Sequence, residues 1–327
     1  MPHAIVIHEV GGPEQMCWES VAVGEPGPGQ ARVRHTHVGL NFLDVYFRTG
    51  LYPAPQMPFT PGTEGAGVVE AVGEGVDFLK AGDRVAYGTG PMGSYAEQRL
   101  MPADVLLKIP DGISNETAAA MMLKGLTSWY LLRRVRALQA GDTILFHAAA
   151  GGVGLIACQW AKSLGATVIG TVGSDEKAEI ARAHGCDHPI NYNTEDFTAR
   201  VKELTDGKGL PVVYDSVGQA TFLKSLDCLH PMGMMVSFGQ SSGAVEPLNI
   251  GLLAAKGALF LTRPSLNWYG AKREDIETGA SELFDQVLAG KVRIEINNRF
   301  PLSRVADAHR ALEGRKTTGS TVLTVEN

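Results

Sequence analysis

The chain has 327 residues, 44% of them hydrophobic and 20% charged, which excludes a disordered protein and exceeds one ordinary core, so two domains are expected. Its 29 basic and 35 acidic residues give a formal charge of −6 with no basic stripe, which disfavours nucleic acid as a partner. Met1–Val10 lacks the basic start and apolar stretch of a signal peptide, and no run of about 18 apolar residues occurs, so a cytoplasmic protein with no membrane span is expected.

Up to Pro110 the chain reads as strands and turns. Ala4–His8, Ala31–Val38, Gly65–Val72 and Arg84–Tyr87 are β-rich or alternating runs, separated by Gly24–Gly29, Tyr52–Pro55 and Ala81–Asp83. This rhythm suits a partly closed antiparallel β domain. Gly24–Gly29 is a surface turn, because strand pattern resumes at once. Near Asp111 the texture changes. Ser114 is a helix cap, with Thr117 completing half a capping box, and Ala118–Val135 has helix-forming composition.

From Thr143 the runs alternate. Thr143–His147 is a strand, Val153–Leu164 a helix, Thr167–Val172 a strand and Glu176–His184 a helix. Val212–Asp215, Met234–Phe238 and Ala258–Leu261 follow as buried strands, with helical Thr221–Leu229 between the first two. Such alternation with apolar strands means a parallel sheet covered on both faces. Glu274–Leu288 is helical, Val292–Phe300 β-like, Val305–Leu312 a short helix and Ser320–Val325 a final strand. That tail matches the front in texture, so the α/β portion reads as an insertion. The boundaries expected are 1–122, 123–262 and 263–327. Cys17, Cys158, Cys186 and Cys228 form no Cys-x-x-Cys pair and read as buried or half-buried thiols of a reducing compartment.

The sharpest signal is the strand–turn–helix at Thr143–Lys162. The glycine pattern stands as Ala149-x-Gly151-x-x-Gly154. Gly151 lets the backbone approach a pyrophosphate, Gly154 lets the helix pack on the sheet, and the helix N-terminus offers N–H groups to phosphate. This is a Rossmann dinucleotide site. An NAD site wants a carboxylate at the end of the second strand, on the ribose 2′-OH. Here that end is Val172-Gly173-Ser174, with Lys177 one turn later. A hydroxyl and an ammonium attract a 2′-phosphate, so NADPH is expected; Asp175 and Glu176 fit the first turn of the next helix by the dipole alone.

With those residues in view, the chain resembles the zinc-independent, zeta-crystallin-like quinone oxidoreductases of the medium-chain dehydrogenase/reductase superfamily. The resemblance rests on the run from Gly141-Asp142 through Ala149-Ala150-Gly151-Gly152-x-Gly154 to Gln159 and Lys162. It also rests on Asn41–Tyr46, Pro61–Gly67 and Leu123–Thr127, and it covers essentially the whole chain. It implies a Rossmann doubly wound parallel sheet inserted between parts of a β-rich GroES-like catalytic domain, with NADPH in a cleft and a homodimer.

Carried over motif by motif, Asn41, Phe42, Leu43, Asp44, Val45 and Tyr46 line the nicotinamide end. Thr127, Tyr130, Ala150, Gly151, Gly152, Val153, Gly173, Ser174, Lys177 and Tyr192 contact the rest of the cofactor. Phe238, Gln240 and Ser241 pass near the nicotinamide ribose, where the resemblance leads one to expect Asn more often than Gln at position 240. Arg315 and Ser320 close the site from the C-terminal part.

Zinc alcohol dehydrogenases of the superfamily hold their metal through a Cys and the His of Gly-His-Glu. Asn41 and Thr63 stand at those positions here, and the cysteine lobe of the structural zinc is missing. No metal is therefore assigned, and the nine histidines, His35 and His37 on one strand face among them, show no metal-like grouping. Without a Lewis acid to hold an alkoxide, the acceptor must itself be electron-poor. Quinones meet that need, and conjugated enones or enals are the alternative. Catalysis is then positioning and exclusion of water. Asn41 donates to a quinone oxygen, and Tyr46 and Tyr52 wall the pocket. Asp44 orients the loop by hydrogen bonding. No essential acid is assigned, and hydride and single-electron transfer both fit.

A different class of role also comes with the resemblance: a nucleotide-loaded protein with affinity for AU-rich RNA. The net charge argues against it as the main role. The apolar run Lys256–Thr262 reads as the last strand of the sheet, an open edge suited to pairing two copies of the chain.

Overall fold

The computed structural model describes residues 1–326. The chain divides into two compact units, and the division falls after Leu126. The first unit is Met1–Leu126, Gly270–Leu288 and Ile294–Asn327; the second is Thr127–Tyr269 with Ala289–Arg293.

The first unit opens with the antiparallel pair β1 (His3–Ile7) and β2 (Met16–Ser20). β3 (Gln30–Leu40) carries Ala31, Val33 and His35 inward at alternate positions. A register shift against the next strand between His35 and His37 then breaks the alternation. The same-face expectation for these histidines fails at this bulge. His35 is buried and bonded to the Ala96 carbonyl and the Tyr87 hydroxyl, at 2.6 and 2.7 Å, while His37 is half-buried. The chain continues through α1 (Phe42–Arg48), β4 (Gly65–Val72), β5 (Arg84–Tyr87), β6 (Gln98–Pro102) and β7 (Leu107–Lys108). α2 (Asn115–Trp129) follows, capped by Ser114, whose hydroxyl oxygen accepts the Thr117 N–H at 3.0 Å. It passes directly into a π-helical turn, Tyr130–Val135.

The second unit runs β8 (Thr143–His147), α3 (Gly152–Ser163), β9 (Thr167–Val172), α4 (Asp175–Ala183), β10 (His188–Asn191) and α5 (Phe197–Leu204). It continues with β11 (Leu210–Asp215), α6 (Phe222–Leu226), β12 (Leu229–Ser237), α7 (Gly251–Ala255), β13 (Phe260–Thr262) and α8 (Leu266–Tyr269). The strands form one parallel sheet in the order β10-β9-β8-β11-β12-β13, the doubly wound order that reverses between β8 and β11. Leu145, Ile169, Val213 and Met235 of its central strands bury against Phe197, Val201, Phe222 and Leu226. β13 begins two residues later than the sequence suggested, because Gly257 and Ala258 both take positive φ, +107° and +55°.

α9 (Arg273–Leu288), β14 (Ile296–Pro301), α10 (Val305–Glu313) and β15 (Ser320–Thr324) return the chain to the first unit. There β15 pairs antiparallel with β3 and parallel with β14, completing the order β14-β15-β3-β4-β5-β7 with β6 on β3. The expected architecture, an α/β sheet inserted in a β-rich domain, is the one observed.

The β-like reading of Val292–Phe300 was too long at its start. Ala289–Arg293 belongs to the second unit, where the Gln159 side chain grips the Arg293 backbone, accepting its N–H at 2.9 Å and donating to its carbonyl at 3.0 Å. Cys17 corrects the expectation for the thiols: it sits exposed on β2, while Cys158, Cys186 and Cys228 are buried. Among the described residues no helix is long and apolar enough to cross a membrane.

Candidate functional site

In the second unit, β8 hands over to α3 through Ala148–Gly151. Ala148 takes φ +56°, and Gly151 at the N-cap has no side chain to offer the first-turn N–H groups. A Cβ on Gly154 would lie 2.3 Å from the Ala148 carbonyl oxygen, so α3 reaches this position against the turn only because the residue is glycine. The 12-residue helix therefore presents uncapped N–H groups and its positive end where the sequence pattern places a pyrophosphate.

At the end of β9, Gly173 and Tyr192 come together so closely that a Cβ on Gly173 would be 2.8 Å from the phenol oxygen. Asn193 donates its side-chain amide to the Gly173 carbonyl at 2.8 Å. Ser174 caps α4, its hydroxyl oxygen accepting the Lys177 N–H at 3.3 Å. Its hydroxyl also bonds Glu176 and holds that carboxyl below its usual range. The hydroxyl expected to greet a 2′-phosphate is thus also the cap of a helix. Asp175 turns to Asn191, accepting its amide at 2.8 Å, so that carboxylate has a structural partner of its own. Lys177 is half-buried one turn into α4.

Of the remaining expected contacts in this unit, Thr127, Tyr130 and Ala150 are buried, and Gly152 and Val153 form the first turn of α3. Tyr130 stacks on Tyr269 with ring centroids 5.1 Å apart, and burial pushes its phenol pKa up. Phe238 packs on Phe146 at 5.6 Å, and Gln240 and Ser241 lie in the loop that follows β12.

The first unit holds the other expected residues. Asn41 precedes α1 in an extended conformation, and its backbone N–H donates to Asp44 Oδ2 at 2.9 Å. Its side-chain amide donates to Glu64 Oε2 at 2.8 Å. Glu64, fully buried, also receives the Lys124 ammonium at 2.7 Å and the Leu123 N–H at 2.8 Å. Buried charges persist when paired and hydrogen-bonded in this way. Leu43 and Val45 lie on α1 with Asp44 and Tyr46. Phe42, Tyr46, Tyr52 and Phe47 make a chain of ring contacts with centroids 6.3, 5.1 and 5.8 Å apart.

Asp44 orients the start of α1, as expected, and does more. Tyr95 donates its hydroxyl to Asp44 Oδ2 at 2.8 Å and lies 3.1 Å from His309 Nε2. Burial pushes the Asp44 carboxyl up to about 7, against the opposing hydrogen bonds from Tyr95 and Asn41. Ser320 is buried with its hydroxyl donated to the Ala120 carbonyl at 2.8 Å, and Arg315 is exposed at a left-handed position. Sequence reasoning gave no role to Tyr95, His309 or Lys124. Lys124 stood inside a quoted motif, but a buried ion pair has no signature when its partner lies 60 residues away.

Two family models match this chain. The alcohol dehydrogenase GroES-like domain matches residues 27–111, and the zinc-binding dehydrogenase matches residues 152–285. A quinone oxidoreductase of Pseudomonas aeruginosa is 55% identical over 313 residues, covering 96% of each chain. A 2-haloacrylate reductase of Burkholderia is 48% identical over 330 residues, covering 99% of each. The crystal structure of Escherichia coli quinone oxidoreductase complexed with NADPH is similar with a TM-score of 0.97 at 47% identity, covering 98% of this chain and 99% of that one.

The zinc named in one family model does not fit the side chains present. Asn41 turns an N–H donor, not a lone pair, toward Glu64, and the cation beside that carboxylate is the Lys124 ammonium. Thr63 offers only a buried hydroxyl, and among the described residues no three His, Cys, Asp or Glu side chains gather as a metal group. On near full-length identity and shared domain architecture, this chain belongs to the quinone oxidoreductase family of the medium-chain dehydrogenases/reductases.

Proposed function

We propose that this protein is an NADPH:quinone oxidoreductase that works without a metal. The observation that carries the reading is the Asn41–Glu64–Lys124 cluster, which puts an ammonium and an amide where a Lewis acid would need lone pairs. With no metal to hold an alkoxide, the acceptor must take negative charge into its own conjugated system. The uncapped start of α3 and the close approach at Gly154 fit a dinucleotide, and the Gly173–Ser174–Lys177 end of β9 favours the 2′-phosphate of NADPH.

NADPH supplies the reducing equivalent, and the protein's own part is binding and orientation. On this reading Gly151, Gly152 and Val153 hold the pyrophosphate, and Gly173, Ser174, Lys177 and Tyr192 hold the adenosine phosphate. Asn41 is the substrate-positioning donor: an amide carries two N–H groups, and Glu64 takes one of them. Tyr46 and Tyr52, in ring contact at 5.1 Å with their planes tilted by 59°, provide an aromatic corner whose ring faces can pack against a planar acceptor.

The runner-up is reduction of an activated carbon–carbon double bond. It is favoured by the Burkholderia relative, whose name gives 2-haloacrylate as its substrate. The dialysed protein tested with NADPH or NADH, on a panel of quinones and enones, with and without a strong chelator, separates these readings. NADPH preference, quinone turnover and indifference to chelation are expected. Rapid turnover of an enone with none of naphthoquinone or phenanthrenequinone would reverse the order, and activity that dies with chelator would end the metal-free reading. The proposal extends to a cytoplasmic homodimer paired along β13, where Phe260 and Leu261 leave an apolar sheet edge exposed.

A further inference from the structure

Three strands of the parallel sheet carry, in their last two residues, polar side chains sealed from water: Thr171 on β9, His147 on β8 and Asp215 on β11, each with no exposed surface. Such groups are costly in a core unless every one is bonded. Here they are joined in one chain. His147 Nδ1 lies 2.7 Å from the Thr171 hydroxyl and Nε2 lies 2.9 Å from the Ser225 hydroxyl. Ser225 donates to Asp215 Oδ2 at 3.1 Å, sharing that proton with the Thr221 carbonyl at 2.9 Å.

Donor counting fixes the direction of the chain. A carboxylate only accepts, and Asp215 is filled: Oδ1 takes the N–H groups of Val217 and Gly218 at 2.7 and 3.0 Å, and Oδ2 takes the Thr221 and Ser225 hydroxyls. With its own proton spent on either acceptor, Ser225 can only receive from His147, so the imidazole carries its hydrogen on Nε2. Its bare Nδ1 then accepts from Thr171. Burial lowers the His147 pKa, in keeping with a neutral ring.

Both ends of this chain are fastened to turns. The Thr171 carbonyl accepts the Ala149 N–H at 3.0 Å, which anchors the turn before α3. At the other end, Asp215 fixes the turn at Val217 and Gly218, and that turn templates the loop after β12. Ser241 and Ser242 donate their N–H groups to the Ser216 and Val217 carbonyls at 3.1 and 2.9 Å. The fit has no slack, since a Cβ on Gly239 would stand 2.6 Å from the Ser216 oxygen. The chain also crosses from β8 to β11, the point of strand-order reversal where such sheets bind their ligands.

We propose that the Thr171–His147–Ser225–Asp215 chain sets the Phe238–Ser242 loop in register with the turn before α3, making Asp215 and Ser225 positioning residues for the nicotinamide-side half of NADPH. The proposal rests on the NADPH reading above. It assigns these residues no contact with the cofactor; they act through the loop.

The test is a pair of binding titrations by calorimetry on the full-length protein. NADPH probes both halves of the cofactor, whereas 2′,5′-ADP probes only the adenosine half. Asp215→Asn should weaken NADPH by roughly 10- to 100-fold, the size expected for lost bonds to a charged group, and leave 2′,5′-ADP within about twofold. Ser225→Ala cuts the chain but leaves Asp215 its other three donors, so it decides the matter if Asp215→Asn does not fold. It should show the same selectivity in smaller degree. Equal losses for both ligands, or no loss for either, in a folded variant would overturn the proposal. Nitrogen NMR of the wild-type protein should find His147 neutral with its proton on Nε2 between about pH 6 and 8; the Nδ1–H tautomer would overturn the direction argued here. If the wild-type protein binds 2′,5′-ADP and NADPH no better than NADH, it is the NADPH reading that fails, and this inference with it.

Discussion

Asp44 is where burial and hydrogen bonding pull hardest against one another. Burial raises its carboxyl from 3.8 to about 7, so the folded chain holds this proton more tightly than the unfolded chain does. Its contribution to stability is therefore present at low pH and lost as pH rises toward 7. His35 and His309 run the other way. Burial lowers them from 6.5 to about 4 and about 3, so their contribution is complete above about 6.5 and lost as pH falls. Urea midpoints of wild type and Asp44→Asn should accordingly diverge with pH: between pH 5 and about 7.5 the variant gains on the wild type. Parallel curves would show that Asp44 does not titrate there. Asp44 stood in a motif from the outset, but its environment did not. Tyr95 and His309 lie 51 residues from Asp44 and 214 residues from Tyr95 respectively, and only the folded chain brings them together.

At the scale of elements, the two junctions at the ends of β8 and β9 separate backbone demands from chemical ones. Gly141 and Gly154 both belong to the motif read from the sequence, yet they are held to glycine for different reasons. Gly141 has φ +90° with open space around its Cβ position, whereas a Cβ at Gly154 meets the Ala148 carbonyl at 2.3 Å. Alanine at Gly141 should cost about 1–2 kcal/mol through backbone strain alone. At Gly154 it should cost a comparable or larger amount, about 1–3 kcal/mol, by overpacking. Only Gly154→Ala should also weaken NADPH binding, because only it displaces the start of α3; titrating both variants with NADPH checks this, and equal affinities would count against a phosphate at that helix. One turn into α4, Lys177→Glu should lower the NADPH-over-NADH preference in kcat/KM by roughly tenfold or more, since it replaces attraction for a 2′-phosphate by repulsion. An unchanged ratio would mean that the cap at Ser174 and the neighbouring side chains read the phosphate without it.

For the whole molecule, the prediction about assembly rests on one sheet edge. β13 ends the six-stranded sheet, and Phe260 is 58% exposed on it. An unpaired apolar edge of this kind either pairs or aggregates. Sedimentation should find a dimer at micromolar concentration, and Phe260→Glu should shift it to monomer. A wild-type monomer would remove the dimer from the proposal. The unit that carries this edge also shows why the insertion could be read in advance. Its strands are apolar on both faces, as a sheet sandwiched between helices requires, whereas β3 of the first unit alternates from Gln30 to His35.

Local sequence determined what local physics controls. β4, β5, β8 and β9 have the expected bounds because hydrophobic runs closed by turn residues are short-range signals, and α2 starts where Ser114 can accept an N–H. The glycine turn before α3 was legible for the same reason. α1 was not, because a seven-residue helix rich in aromatic and β-branched residues has little intrinsic preference and owes its start to the bond between Asn41 and Asp44. β2, β6, β7 and β10 were also missed, since an edge strand is made by its partner more than by its composition. Tertiary structure alone decided the buried polar chemistry: Glu64 with Lys124, Asp44 with Tyr95, and His147 with Ser225 and Asp215. A charge or imidazole can be kept from water only if distant segments supply its partners, and the linear order of residues carries no record of which segments will meet.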